Sequence, residues 1–180
     1  NSNLKIKINT VVLKNINENE LDDLIQWCGK NQFDLTLIET MPLGKTDRLS
    51  SENFISLSNI KDKLRNSWSI EDINYKSGGP ARYSFIKEAD LKLGMITPLS
   101  NNFCSGCNRI RITCTGKIYM CLGQNVYIDL KKAIRSKKSY EALENLIDKS
   151  ITQKPERHSF TSTELFNSPT IKRTMNVTGG

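Results

Sequence analysis

Histidine is almost absent from this chain of 180 residues: His158, in KPERHSF, is its one imidazole. A lone histidine in a polar loop is more often structural or solvated than catalytic, so no chemistry is assigned to it. No apolar run approaches the ~20 residues of a membrane span, and no charged-then-apolar leader opens the chain. There is no internal repeat and no helix-turn-helix, and with aromatics at 7% there is no interleaved aromatic platform, which removes the usual supports for a nucleic-acid partner. The net charge of +7 would permit such a partner, but bare charge is weak evidence. The densest basic run, Lys131, Lys132, Arg135, Lys137 and Lys138, reads as a solvated helix face and its exit loop.

What is present fits a soluble globular protein: 37% hydrophobic and 25% charged residues over 180 positions can bury one respectable core or two small ones. Five cysteines without a secretion signal favour a reducing, cytoplasmic setting in which thiols bind metal rather than pair. The first residue is Asn rather than Met, from which an amino-terminal portion is expected to be absent.

Four of the five cysteines fall in Phe103–Gly123, FCSGCNRIRITCTGKIYMCLG. Arg109–Thr113 and Lys117–Cys121 alternate, with Ile110, Ile112, Ile118 and Met120 at even positions, so each reads as a strand with one buried face. If Cys114, Thr115 and Gly116 form a three-residue loop with Gly116 left-handed, residue 113 pairs with 117, 111 with 119 and 109 with 121. That register sets Arg109, Arg111, Lys117, Tyr119 and Cys121 on the other face. It brings Cys104, Cys107 and Cys121 to the open end and leaves Cys114 at the far end.

Two close cysteines plus a third delivered by a hairpin suit a metal or an iron–sulfur cluster. A structural zinc site closes its tetrahedron with four protein ligands, and no fourth is obvious. Three thiolates would leave one iron of a cubane open, and two guanidiniums beside it favour an anionic, oxygen-rich ligand such as a nucleotide; a basic surface attracts a triphosphate equally well. Two alternatives remain. One is buried structural cysteines beside surface arginines. The other is a zinc-stabilised basic module contacting nucleic acid, with Cys104, Cys107, Cys121 and either Cys114 or His158 as ligands.

Along the chain, Leu4–Val12 alternates as a strand, Leu4, Ile6 and Ile8 on one side and Lys5, Lys7 and Asn9 on the other, facing solvent or a barrel lumen. A helix is expected over Glu18–Lys30, capped by Asn17 or Asn19, with Leu21, Leu24, Ile25 and Cys28 inward and Cys28 a core thiol. The strand Phe33–Met41 completes a βα unit of a parallel sheet. It ends in Glu39, Thr40 and Met41 before Pro42 and Gly44 break it; on the bare sequence Met41 is a core methionine. Ser51 is expected to cap a helix through Asn66, with Phe54, Leu57, Ile60 and Leu64 inward. Short strands follow at Ile73–Lys76, Ala81–Ile86 and Leu93–Thr97, divided by Gly78–Gly79–Pro80 and by Gly94, which places a domain boundary near residue 68. Asp129–Arg135 and Tyr140–Lys154 read as helices, the second with Tyr140, Leu143, Leu146, Ile147 and Ile151 inward. The polar tail from Asn167 reads as a frayed end.

The cysteine and NRIR run, together with GGPARY (Gly78–Tyr83), ITPLSNNF (Ile96–Phe103) and the terminal Gly179–Gly180, closely resembles the carboxy-terminal half of the GTP 3′,8-cyclase family. These are radical S-adenosylmethionine enzymes that open molybdenum-cofactor biosynthesis. The resemblance covers essentially the whole chain, but the family's first cluster sits on an amino-terminal CxxxCxxC, a motif this sequence does not contain. It implies an α/β fold: residues 1–68 as the last βα units of an incomplete TIM-like barrel, and 69–180 as an α+β carboxy-terminal domain with a cluster-binding hairpin. It further implies a second [4Fe-4S] cluster on Cys104, Cys107 and Cys121, and GTP held by Lys7, Arg109, the Ile110 backbone and Arg111. Met41 aligns with a position that touches S-adenosylmethionine, and Gly179 and Gly180 with a tail that reaches into the active site and is needed for activity. Thr36 stands where many members carry arginine, and a contact made by that arginine is not carried over.

The activity implied needs both halves. The first cluster splits S-adenosylmethionine, the deoxyadenosyl radical takes a hydrogen from the ribose of GTP, and the sugar radical attacks carbon 8 of guanine. The product is (8S)-3′,8-cyclo-7,8-dihydroguanosine 5′-triphosphate. This chain would contribute positioning and be inactive alone. The partners implied are GTP, the amino-terminal half, a second copy in a homodimer and, downstream, cyclic pyranopterin monophosphate synthase, with neither membrane nor nucleic acid.

Overall fold

The computed structural model of the chain describes residues 4–44, 53–136, 139–160, 171 and 173–178. The chain forms two compact units, one of Asn1–Met41 and Arg48–Phe103, the other of Pro42–Asp47 and Cys104–Gly180. The division thus falls at Phe103 and Cys104 rather than near residue 68, because the three short strands that follow Trp68 join the sheet of the first unit.

That sheet grows from the alternation of the opening residues. Strand β1 (Lys7–Val12) runs parallel to β2 (Asp34–Glu39), with Lys7 opposite Asp34 and Val12 opposite Glu39. Helix α1 (Leu21–Lys30) makes the connection, so the expected βα unit is present. Three further strands follow: β3 (Ile70–Ile73), β4 (Arg82–Ile86) and β5 (Leu91–Ile96). The order is β1-β2-β5-β4-β3; β5 pairs parallel to β2, while β4 and β3 run antiparallel. Helix α2 (Leu57–Leu64) is capped by Ser56, whose side chain accepts from Ser58 N; the expected cap, Ser51, lies outside the described residues.

One face of the sheet packs with the helices. Val12, Leu35, Leu37, Leu93 and Met95 meet Leu21, Ile25 and Cys28 of α1 and Leu57, Ile60 and Leu64 of α2. Cys28 is fully buried, and that burial pushes its thiol up, as befits a core residue rather than a ligand. Leu4 and Ile6 are exposed instead of joining this face, since β1 begins only at Lys7 and is an edge strand. Asn17 does not cap α1. Its side chain accepts from Leu13 N at 2.8 Å and donates to Val11 O at 2.9 Å, so it stitches the β1–α1 loop while Glu20 takes the cap position without a side-chain bond.

Glu39 ends β2 fully buried. Its carboxylate accepts from Leu57 N at 3.1 Å, Leu99 N at 3.0 Å and Ser100 N at 3.1 Å, and also from the Ser100 hydroxyl. One negative group thus faces the first turn of α2, where the helix dipole favours it, and fixes the 99–100 turn.

In the second unit a hairpin of β6 (Arg111–Ile112) and β7 (Lys117–Tyr119) is extended by β8 (Tyr127–Asp129) in the order β6-β7-β8. Asp129 then caps α3 (Leu130–Arg135) by accepting from Lys132 N, and Ser139 caps α4 (Tyr140–Thr152) by accepting from Ala142 N. Lys131, Lys132 and Arg135 are exposed, as a solvated face requires; Lys137 and Lys138 lie outside the described residues. On α4, Leu143, Leu146 and Ile147 are half-buried, but Tyr140 and Ile151, expected inward, are exposed. They sit at the two ends of the helix. The tail does not read as frayed where it is described: Ile171 bridges to Leu43 and accepts from Gly44 N at 3.0 Å, and Thr178 is buried.

Replacing Glu39 with Ala would strand three backbone N–H groups at about 1–3 kcal/mol each. The expected result is a loss of roughly 3 kcal/mol or more, read as a lower urea midpoint at unchanged slope.

Candidate functional site

The hairpin turn forms as its spacing requires. Gly116 has φ 79°, a left-handed conformation that favours glycine, and a side chain there would run into Lys131. Thr113 closes the turn twice: its N–H donates to Lys117 O at 2.9 Å, and its hydroxyl accepts from Lys117 N at 3.0 Å. Arg111 consequently stands opposite Tyr119 and Ile112 opposite Ile118. The strands are shorter than the alternation implies, and the ladder stops before residues 109 and 121. Ile118 and Met120 are buried, whereas Ile110 and Ile112 are exposed. β7 is the central strand and gains cover on both sides; β6 is an edge.

Cys104 and Gly106 bound a single 3₁₀ turn in which Cys107 N donates to Cys104 O at 3.0 Å, so the CxxC folds back on itself. Cys104, Cys107 and Cys121 form no disulfide and are partly exposed, and Cys114, also outside any disulfide, is exposed at the turn. Burial pushes the Cys121 thiol up, the charges of Cys104 and Cys107 push the same way, and the backbone of Gly123 and the Lys154 ammonium oppose them. The Cys121 thiol therefore lies within electrostatic reach of both Cys104 and Cys107. Among the described residues, however, no group of three His, Cys, Asp or Glu side chains is closed into a metal-holding arrangement.

The same place is rich in positive charge. Burial lowers the Arg111 guanidinium, Arg109 lowers it further, and Cys107 and Cys121 raise it, so all four groups share one neighbourhood. Two cations join them that the sequence did not single out. Arg173 lays its guanidinium over the Tyr119 ring at 4.2 Å and donates to Leu122 O at 2.5 Å, Cys121 O at 3.4 Å and Asn125 Oδ1 at 3.0 Å. Lys154 donates to Arg109 O and Met120 O and reaches the Cys107 sulfur. Both come from 34 or more positions away along the chain, and neither belongs to a local pattern that would have flagged it.

Chemically the set fits a thiolate-ligated metal centre. Soft sulfur donors come from two chain segments, and Arg111, Arg173 and Lys154 offset the negative charge that three thiolates would carry. Cys114, at the opposite end of the hairpin, is too far to serve as a fourth zinc ligand, and the Nδ1 of His158 accepts from Phe160 N at 3.2 Å.

Lys7 and Met41 belong to the first unit. On the sheet face away from the helices, Lys7 Nζ donates to the Tyr83 hydroxyl at 3.4 Å, and that hydroxyl donates to Ser77 Oγ at 2.8 Å. Thr36 is buried beneath this pair with its hydroxyl unpartnered. Gly94 permits the approach, since a side chain there would strike Thr36 and Tyr83. Lys7 and Asn9 on the polar side of β1 remain exposed, with Lys7 reaching a tyrosine of GGPARY. Met41 is half-buried in the loop after β2, and Gly179 and Gly180 lie outside the described residues.

No helix among the described residues is long and apolar enough to cross a membrane. In sequence, residues 33–160 match the family profile described as Molybdenum Cofactor Synthesis C. Curated relatives named GTP 3′,8-cyclase are similar across 98% of the chain: 44% identical in Sinorhizobium medicae and 45% in Brucella ovis and in Rhizobium meliloti. The match takes up 51–52% of those relatives, so the chain spans about half their length. With the matched region covering both the βα unit's second strand and the whole cysteine hairpin, the chain belongs to the Molybdenum Cofactor Synthesis C family.

Proposed function

We propose that this chain is the carboxy-terminal part of a radical S-adenosylmethionine GTP 3′,8-cyclase, and that it supplies the second [4Fe-4S] site and most of the grip on GTP. One observation carries the reading: three thiols outside any disulfide, from two chain segments, and the paired guanidiniums of Arg109 and Arg111 share one neighbourhood. Cys104, Cys107 and Cys121 would hold the cluster. Bound there, it would offer one iron without a protein ligand, to which a guanine donor atom can bind.

Everything else is done by the chain's own groups. Arg109 and Arg111 present planar forks to phosphate or guanine oxygens, and the Ile110 backbone lies between them. Lys7, held by Tyr83, adds a point charge, and Met41 would contact S-adenosylmethionine. Gly179 and Gly180 would reach the reacting centre from the tail. The common task is positioning: a radical cannot be steered once formed, so the target hydrogen must already be close. Homodimerisation and a cytoplasmic location are part of the same reading, by likeness to the family.

The first sheet supports a barrel origin. β1, β2 and β5 are parallel, and β1 lies at the edge with Ile6 and Val11 exposed. Strands from the part of the protein that the relatives have in addition would pair there, as one turn of a TIM-like barrel.

The 180-residue chain is expected to take up iron under anaerobic reconstitution but to yield no cyclised nucleotide with GTP, reductant and S-adenosylmethionine. Measurable product would contradict this. Cys107→Ser should remove most of the iron and Cys114→Ser should leave it intact, because the exposed turn cysteine is remote from the other three; equal losses in iron analysis would refute the assignment.

A further inference from the structure

The hairpin ladder leaves a gap where the site needs order. Backbone pairing ends with Arg111 opposite Tyr119, so no ladder bond joins the segment leaving Cys107 to the segment entering Cys121. Lys154 fills that role. Helix α4 stops at Thr152, two residues sooner than its sequence pattern implies, and Lys154 turns back from the helix end. Its Nζ donates to Arg109 O at 2.6 Å and to Met120 O at 2.8 Å, and lies 3.9 Å from Cys107 Sγ. Arg109 is two residues after Cys107, and Met120 immediately precedes Cys121. An ammonium has three donors and no acceptor, and here all three face this junction.

Resting on the metal-site reading above, we propose that Lys154 is a positioning residue for the metal–sulfur centre. It ties together the two backbone segments that deliver Cys107 and Cys121 and sets one positive charge against their thiolates. A surface lysine would be expected to waver in water, since holding four rotatable bonds costs entropy. Two charge-assisted bonds to carbonyls, each roughly twice as strong as a neutral one, offset that cost. The charge acts on the centre itself: N–H donors and cations beside cluster sulfurs favour the reduced form.

The test uses the full chain, reconstituted anaerobically with iron and sulfide, as parent, Lys154→Met and Lys154→Arg. Circular dichroism establishes folding, the rate of iron loss to a chelator reports how firmly the centre is held, and its reduction potential reports the charge. Lys154→Met is expected to release iron at least about tenfold faster and to show a more negative potential. Lys154→Arg, with charge and donors kept, should restore much of both. Should the Met variant be unfolded, Lys154→Gln serves for the potential, which is again expected to be more negative. A folded Met variant that matches the parent in both release rate and potential overturns the role of Lys154 and leaves the metal site standing. A folded parent that takes up no iron overturns the metal-site reading, and this inference with it.

Discussion

The second unit depends on a turn of three residues. Thr113 grips Lys117 through both backbone and hydroxyl, Gly116 takes the left-handed conformation between them, and one register follows. A slip of one residue would send Arg111 to the opposite face of the sheet, away from the sulfurs of Cys107 and Cys121. The chemistry proposed for this chain is thus written first as a constraint on backbone geometry, and only then as thiols and guanidiniums. Because the ladder is short, its open end is held by side chains. Lys154 spans the two segments, and Arg173 clamps the carbonyls of Cys121 and Leu122 while lying on Tyr119.

Those clamps explain what sequence reading could and could not reach. Turn chemistry and strand alternation are local, so the hairpin register, the left-handed Gly116, the core thiol Cys28 and the parallel βα unit follow from neighbours a few positions apart. Lys154 and Arg173 act across 34 to 52 positions on backbone carbonyls, which every residue possesses and no pattern marks. Edge effects are equally invisible. Ile110 and Ile112 have the alternation of a buried strand, but only the central strand of three receives cover. Asn17 satisfies the composition of a helix cap, yet its carboxamide finds the Val11 and Leu13 backbone first, as Asn side chains readily do outside helices. The texture change at Trp68 is real, but it marks a switch from helix to antiparallel strands within one sheet rather than a boundary between units.

The two units carry different shares of the proposed work. In the first, Glu39 spends a fully buried carboxylate on backbone N–H groups of α2 and the 99–100 turn, a structural use of an acid at the carboxyl edge of a parallel strand, where working groups are usual. The polar face of the same sheet keeps Lys7 on Tyr83 and buries Thr36. Among the described residues of the second, Arg109, Arg111, Arg173 and Lys154 gather beside Cys107 and Cys121. Thiolates at Cys104, Cys107 and Cys121 would add negative charge beside these four cations.

The three-sulfur centre can be examined directly by Mössbauer spectroscopy of the chain loaded with iron-57 and sulfide, recorded with and without GTP. A cubane spectrum in which one iron in four changes on adding GTP is the predicted result, since three protein sulfurs leave one iron for the nucleotide. A single-iron thiolate spectrum, or a cubane spectrum indifferent to GTP, would contradict the account.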